Sequence, residues 1–170
     1  IHHKTGEIEV KLATMLAFML GIFLITVFRP IFEQSLWRVT SISPLVLICT
    51  LVGSMPNTVP NMFIVPPIAF CMGVVATAFG EVDGIVYNNS FMTGNIKKTM
   101  VAFGNFVRTR EKPYLKEGIF FVALLGSFIT GAIISTYLIQ FYALRTIWIV
   151  AVILFAFMMF RLTQYVRRSR

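Results

Sequence analysis

Residues 12–28 read LATMLAFMLGIFLITVF, a run without a charged side chain, and Arg29 and Pro30 follow it directly. A helix needs about 20 mainly apolar residues to cross a hydrocarbon layer of roughly 30 Å. Further apolar runs follow along the chain at residues 41–54, 62–79, 118–139 and 146–160. Apolar runs in series predict an all-α fold, a polytopic transmembrane helical bundle that forms a single integral membrane domain over residues 1–170.

The composition indicates that lipid, rather than water, surrounds these helices. Hydrophobic residues make up 57% of the 170 positions and charged residues 13%, whereas soluble domains carry about 25% charged residues. The net charge of +8 does not indicate a nucleic-acid partner, because the basic residues lie between the apolar runs and at the C-terminus rather than on one continuous face. By the positive-inside rule, the basic groups at 108–116 and 161–170 predict a cytoplasmic C-terminal tail.

No pattern in the sequence predicts a cofactor, a metal site or catalysis. Cys49 and Cys71 lie inside apolar runs without the paired spacing of a disulfide framework or a zinc site. The motifs His-Glu-x-x-His and Gly-x-Ser-x-Gly do not occur. We therefore expect no enzyme activity and no cofactor.

Prolines mark the irregular parts of two runs. Pro66 and Pro67 are adjacent in the third run, and each removes a backbone N–H, so we expect that helix to kink or break unless neighbours satisfy the freed carbonyls. Pro44 lies near the start of the second run, which is short and borrows Leu36 or Val39 to reach a spanning length.

Residues 80–107, GEVDGIVYNNSFMTGNIKKTMVAFGNFV, are too polar for a simple span. Because Ser and Thr are good N-caps, Ser90 or Thr93 is expected to start a polar half-helix within about residues 86–107, with free amides and a positive dipole end at its beginning. Transporters use such discontinuous helices to hold substrates. The candidate substrate-binding residues are Asn89, Thr93, Gly94 and Asn95. The alternative is that these polar groups only join helices by hydrogen bonds.

Two acids and two lysines flank this candidate site. Glu81 and Asp83 are a weak candidate ion or proton site if they lie at membrane depth, where a charge is costly and usually functional. Their flanking glycines favour a surface turn instead. Lys97 and Lys98 are expected to extend to the headgroup region.

An internal three-span repeat, with its first copy incomplete, is a further hypothesis. Phe-x-x-Gly steps occur in the first and fourth runs, at Phe18 to Gly21 and at Phe128 to Gly131, and each run is followed by another span. Chance similarity between two apolar helices is the alternative. The first residue is Ile1, so we expect that the chain begins part-way through a longer protein.

Two topologies are possible. If the Thr-Gly-Asn helix is broken or re-entrant, the chain makes five crossings, and if that helix crosses fully, the chain makes six. The distribution of Lys and Arg fits both.

The polar segment and the residues before it also carry a resemblance. Residues 69–107, together with the basic loop and the Gly-rich run after them, resemble the C-terminal part of the YoaK family of bacterial membrane proteins, domain of unknown function number 1275. The match rests on the family's Thr-Gly-Asn motif and on an upstream Met-Gly step, which here are Thr93, Gly94, Asn95, Met72 and Gly73. The resemblance implies a multi-pass protein of the bacterial cytoplasmic (inner) membrane and suggests transport, without naming a substrate. Many members carry a basic residue near Gly80, where this chain has Glu81, which argues against anion binding at that position.

The leading functional hypothesis is a transporter or permease for an unknown small solute, working by alternating access around the polar half-helix. The competing hypothesis is a non-transporting membrane subunit whose polar segment binds a partner or a lipid. The expected partners are the lipid bilayer, the small solute and, as a further possibility, a second copy of the chain.

Overall fold

The computed structural model describes residues 2–31, 37–82, 84–87 and 92–168. The helices and strands in these ranges are, in chain order, α1 His2–Phe28, α2 Trp37–Gly53, α3 Asn61–Ala78, β1 Glu81–Val82, β2 Ile85–Val86, α4 Met92–Thr109, α5 Lys112–Tyr142 and α6 Ile147–Arg168. Short 3-10 turns follow α1 at Arg29–Ile31 and α5 at Ala143–Thr146. The helical architecture is as expected, but the all-α prediction missed the small hairpin formed by β1 and β2.

Within the described residues, three stretches are long and apolar enough to cross a membrane: Gly6–Ile31, Asn61–Ala78 and Lys112–Arg167. The last one contains two helices, because the chain turns at Ala143, where φ is 46°. α2 is a shorter apolar helix of 17 residues, about 25 Å long at 1.5 Å per residue. α2 begins at Trp37 and so includes Val39, while Leu36 lies outside the described residues.

The helices belong to two compact units, Ile1–Phe79 with Tyr142–Arg170, and Gly80–Phe141. In the first unit, α2, α3 and α6 share a buried core of Leu45, Cys49, Cys71 and Ala151. Both cysteine thiols are free within this core, which fits their interpretation as small buried apolar side chains.

α1 and α3 approach each other most closely at a pair of glycines. A Cβ atom built on Gly21 would lie 2.2 Å from the Phe70 carbonyl oxygen, and one built on Gly73 would lie 2.3 Å from the Phe18 carbonyl oxygen. No side chain fits at either position, since backbone atoms occupy the space. The contact is therefore reciprocal, and each glycine admits the carbonyl of a Phe-x-x-Gly step on the other helix. Close approach at small residues is how helices associate in a membrane.

Proline is accommodated inside α2 and α3. Helix α2 starts seven residues before Pro44, so the expectation that this proline lies near the first turn was wrong. Pro44 leaves the Thr40 carbonyl without its usual donor, and the Ser43 hydroxyl donates to that carbonyl at 2.8 Å. α3 continues as one helix through Pro66 and Pro67, so these prolines do not break it.

Hydroxyl groups within the helices donate to carbonyls of the preceding turn, which satisfies a polar group without water. This pattern recurs in α1, α2, α3, α5 and α6, at Thr14, Thr26, Ser41, Thr50, Thr77, Ser127, Ser135, Thr136 and Thr163. Such helices keep an apolar outer surface despite their Ser and Thr content.

Candidate functional site

The second unit begins with a tight hairpin. Glu81 pairs with Val86 and Val82 with Ile85 in antiparallel register, and the Tyr87 amide donates to the Gly80 carbonyl at 2.9 Å. Gly84, with φ of 80°, supplies the left-handed conformation that such a turn requires. The Glu81 side chain is exposed. Asp83, the second residue of the weak candidate ion site, lies outside the described residues. The structure therefore describes only Glu81 of that pair.

Helix α4 begins at Met92, so Thr93 lies inside the helix and is not its N-cap. Ser90, the other candidate cap, lies outside the described residues. The buried face of α4 consists of Asn95, Thr99 and Ala102, which share one side at helical spacing. The sequence pattern i, i+4, i+7 of small and amide side chains was the signal for this face.

The four candidate binding residues do not share one buried lining. Asn95 has no exposed surface, whereas Thr93 and Gly94 are exposed. A Cβ added at Gly94 would find no atom of the described structure within 4 Å. Asn89 lies outside the described residues. The buried polar centre is therefore Asn95 with Thr99, and not the Thr-Gly-Asn tripeptide as a whole.

Asn95 and Thr99 are linked by local hydrogen bonds. The Thr99 hydroxyl donates to the Asn95 carbonyl at 2.8 Å, and the Asn95 side-chain amide approaches the Met92 sulfur at 3.6 Å. Asn95, which has no exposed surface, is thus the most deeply buried polar side chain of this helix.

A tight turn joins α4 to α5, and side chains connect the two helices. Their connection turns at Arg110, where φ is 59°, and the Arg110 amide donates to the Phe106 carbonyl at 2.8 Å. The Phe103 ring packs against Gly118, where an added Cβ would lie 3.0 Å from the ring. A glycine at this position lets the two helices meet at an aromatic side chain.

A lysine and three aromatic rings join the strands to both helices. The Lys98 ammonium donates to the Val86 carbonyl and lies 5.7 Å from the centre of the Phe121 ring, within the range of a cation–π contact. Phe120 makes edge contacts with Phe121 at 5.5 Å and with Tyr87 at 5.7 Å. Lys98 therefore bonds to the protein backbone instead of serving only as a headgroup contact. Sequence reasoning missed this cluster, because nothing local links residues 86–87 to 120–121.

Among the described residues, no group of three or more His, Cys, Asp or Glu side chains is arranged to hold a metal ion. The polar chemistry of this unit consists of the Asn95 amide, the Thr99 hydroxyl and, at a separate place, the Lys98 ammonium beside aromatic rings. These groups bind and orient polar molecules.

Comparison with known proteins identifies a family. No curated protein and no solved structure matches the chain. A family model described as "Protein of unknown function (DUF1275)" matches residues 1–160. This match covers almost the whole chain and agrees with the resemblance carried by residues 69–107, so the protein belongs to the DUF1275 family.

Proposed function

We propose that this protein is a small-solute transporter or permease of the bacterial cytoplasmic membrane, with its C-terminal tail in the cytoplasm and α4 as a re-entrant half-helix. The observation that carries the proposal is Asn95, a completely buried amide in the one helix of the described structure that is too polar to count as a span. A buried polar side chain at membrane depth is costly and usually functional.

Side-chain contacts between α4 and α5 support a place for the polar helix beside a spanning one. Phe103 lies against Gly118 and Lys98 against Phe121. The uncharged part of α5 begins after Glu117, so both contacts lie within the first turns of that apolar part.

The position of the β1–β2 hairpin favours re-entry of α4 over a full crossing. The chain enters the second unit at Gly80, which is bonded to Tyr87, and Tyr87 contacts Phe120 near the charged start of α5. The chain also begins α5 at Lys112, at this same end. Entry and exit of the segment at one end of α5 support a re-entrant α4, and we expect that α4 does not carry the chain across. Five crossings, by α1, α2, α3, α5 and α6, then follow.

We include an internal three-span repeat in the proposal. It rests on the order of the spans, since the first and the fourth apolar runs are each followed by another span, and not on the Phe-x-x-Gly steps. A third such step, Phe70 to Gly73 in α3, packs against the step in α1. Close helix packing explains these steps without a duplication. Determining the reading frame upstream of Ile1 tests the repeat, because a second Thr-Gly-Asn segment is expected there.

The topology is tested with single cysteines at Val82 and Glu111, introduced after Cys49 and Cys71 are replaced by Ala. Both positions are exposed. An impermeant thiol reagent applied to intact cells or to inverted vesicles should label the two positions from the same side. Labelling from opposite sides would establish a full crossing by α4 and contradict the half-helix.

Transport is tested in proteoliposomes by light scattering after osmotic challenge with urea, glycerol, sodium formate or sodium phosphate. We expect at least one solute to enter faster than in protein-free vesicles, and we expect Asn95→Ala to reduce that rate about tenfold or more. The matched control is Asn105→Ala, which removes a partly exposed amide from the same helix. Thermal melting of each variant confirms that it is folded. Rates unchanged by Asn95→Ala would remove the site assignment, and rates equal to empty vesicles for every solute would count against transport.

A non-transporting subunit is the second candidate, favoured by the open surface of α5. Cβ atoms added at Gly126 or Gly131 would find nothing within 4 Å in the described structure, and small residues of this kind serve helix association in membranes. A stoichiometric partner or a stable homo-oligomer that is lost in Gly126→Leu/Gly131→Leu, together with absence of solute flux, would support this reading over transport.

A further inference from the structure

The first unit contains a cavity that the proposed transport site does not use. Its volume is about 270 Å³, and it lies between the last turns of α1, the first turns of α2 and the second half of α3. Leu24, Phe28, Trp37, Phe70 and Val74 supply most of its apolar wall. Pockets for drug-sized ligands start at about 300 Å³, so the cavity suits one slim chain.

Three hydroxyl groups line the cavity, at Thr40, Ser41 and Ser43. Ser41 donates to the Trp37 carbonyl and Ser43 donates to the Thr40 carbonyl, each at 2.8 Å. The protons of these two hydroxyls are thus committed to their own helix, and the rest of the wall is apolar. A polar solute would exchange hydrogen bonds with water for an apolar wall, whereas an aliphatic chain would lose nothing by entering.

Two arginines are the chain neighbours of cavity-lining residues. Phe28 is followed by Arg29 and Trp37 by Arg38, and both arginine side chains are exposed. Arg29 directly follows α1, and Arg38 is the second residue of α2. The connection also contains Glu33, which lies outside the described residues. Arginine forms strong hydrogen bonds with phosphate, and basic groups beside a helix end attract anionic lipids.

We propose that the cavity binds an acyl chain of an anionic phospholipid, whose phosphate is held by Arg29 and Arg38. The wall selects an aliphatic chain, and the arginines select a negatively charged headgroup. The position fits, because Phe28 and Trp37, which line the cavity, are the chain neighbours of Arg29 and Arg38. This lipid site is independent of the solute site around Asn95.

Trp37 provides a direct probe, because its ring lines the cavity and only 8% of the residue is exposed. Trp148→Phe leaves Trp37 as the single tryptophan of the two. The variant is reconstituted into phosphatidylcholine vesicles that contain increasing fractions of dibrominated phosphatidylglycerol or dibrominated phosphatidylcholine, whose bromines quench tryptophan fluorescence. Half-maximal quenching should require an about tenfold lower mole fraction of the anionic lipid, and Arg29→Gln/Arg38→Gln should remove that difference.

Thr40→Phe fills the cavity from α2 and should abolish the saturable quenching. Its matched control is Thr26→Phe on α1, which does not line the cavity. Native mass spectrometry of the wild-type chain supplies a second measurement: one phosphatidylglycerol should remain bound after delipidation, and the double arginine variant should lose it. Equal half-saturation by the two lipids, quenching that survives Thr40→Phe, or quenching by neither lipid because a protein segment fills the cavity, would each overturn the proposal.

Discussion

The glycine contact between α1 and α3 should be the most sensitive packing site of the first unit. Gly21→Ala places a methyl group 2.2 Å from the Phe70 carbonyl oxygen, more than 1 Å short of the 3.4 Å at which ordinary contact begins. The obstructing atom is backbone and cannot rotate away, so α1 and α3 must separate by about 1 Å at the crossing. A gap of that size removes roughly a quarter to a half of each neighbouring dispersion contact. We expect a loss of about 2 kcal/mol of stability, and the same for Gly73→Ala.

The double variant gives the sharper result. A single separation of the helices relieves both clashes, so Gly21→Ala/Gly73→Ala should cost nearly the same as either single substitution rather than their sum. Melting is followed in detergent with a dye that fluoresces on reaction with thiols, because Cys49 and Cys71 are only 2% and 1% exposed until the protein unfolds. A loss of about 2 kcal/mol corresponds to a fall in Tm of about 4–8 °C.

Gly131→Ala is the matched control, since this glycine ends a Phe-x-x-Gly step of the same form but an added Cβ meets no atom of the described structure within 4 Å. Alanine is the better helix former by about 1 kcal/mol, so this substitution should leave the Tm unchanged or raise it. The reasoning would be refuted if Gly21→Ala and Gly73→Ala melted like Gly131→Ala, or if the double variant lost the sum of the two single effects.

Three further predictions follow from local contacts. Gly53→Ala should destabilise the packing of α2 on α6 by about 1–3 kcal/mol, because the new methyl would lie 2.3 Å from the Trp148 ring; melting measures the loss. Ser43→Ala should lower stability by about 1 kcal/mol, since the hydrogen bond from the Ser43 hydroxyl to the Thr40 carbonyl is lost; melting again measures it. Lys98→Met keeps the apolar stem but removes the ammonium that holds β2, so protease cleavage within the β1–β2 hairpin should become several-fold faster at unchanged Tm.

Each of these predictions has a control of the same chemical type. Gly126→Ala introduces a methyl into open space, and Ser135→Ala removes a hydroxyl whose acceptor, the Ala132 carbonyl, also receives the Thr136 hydroxyl. Lys97→Met removes a neighbouring exposed charge from α4. If a control had the same effect as its test variant, the named contact would not be the cause.

The candidate site was predictable only in part. Asn95 was chosen because an amide in a polar helix between apolar runs is costly to bury, and the structure buries it completely. Thr93 and Gly94 are predicted with it as the start of the half-helix, but the helix begins at Met92, neighbours on a helix point about 100° apart, and both residues are exposed. Thr99, one turn further along, is the residue that shares the Asn95 face.

The sequence alone determined that the protein is a series of apolar helices, because the length and continuity of an apolar run are local properties that the thickness of a bilayer selects. It also determined the family, since the residues around Thr93 to Asn95 carry the resemblance. The tertiary structure alone decided which glycines form contacts. The backbone of the facing helix fills the space beside Gly21 and Gly73, whereas no atom of the described structure lies within 4 Å of a Cβ added at Gly131, which ends the same Phe-x-x-Gly pattern. The physical reason is that packing depends on what another helix brings to the same place, and sequence spacing along one helix does not contain that information.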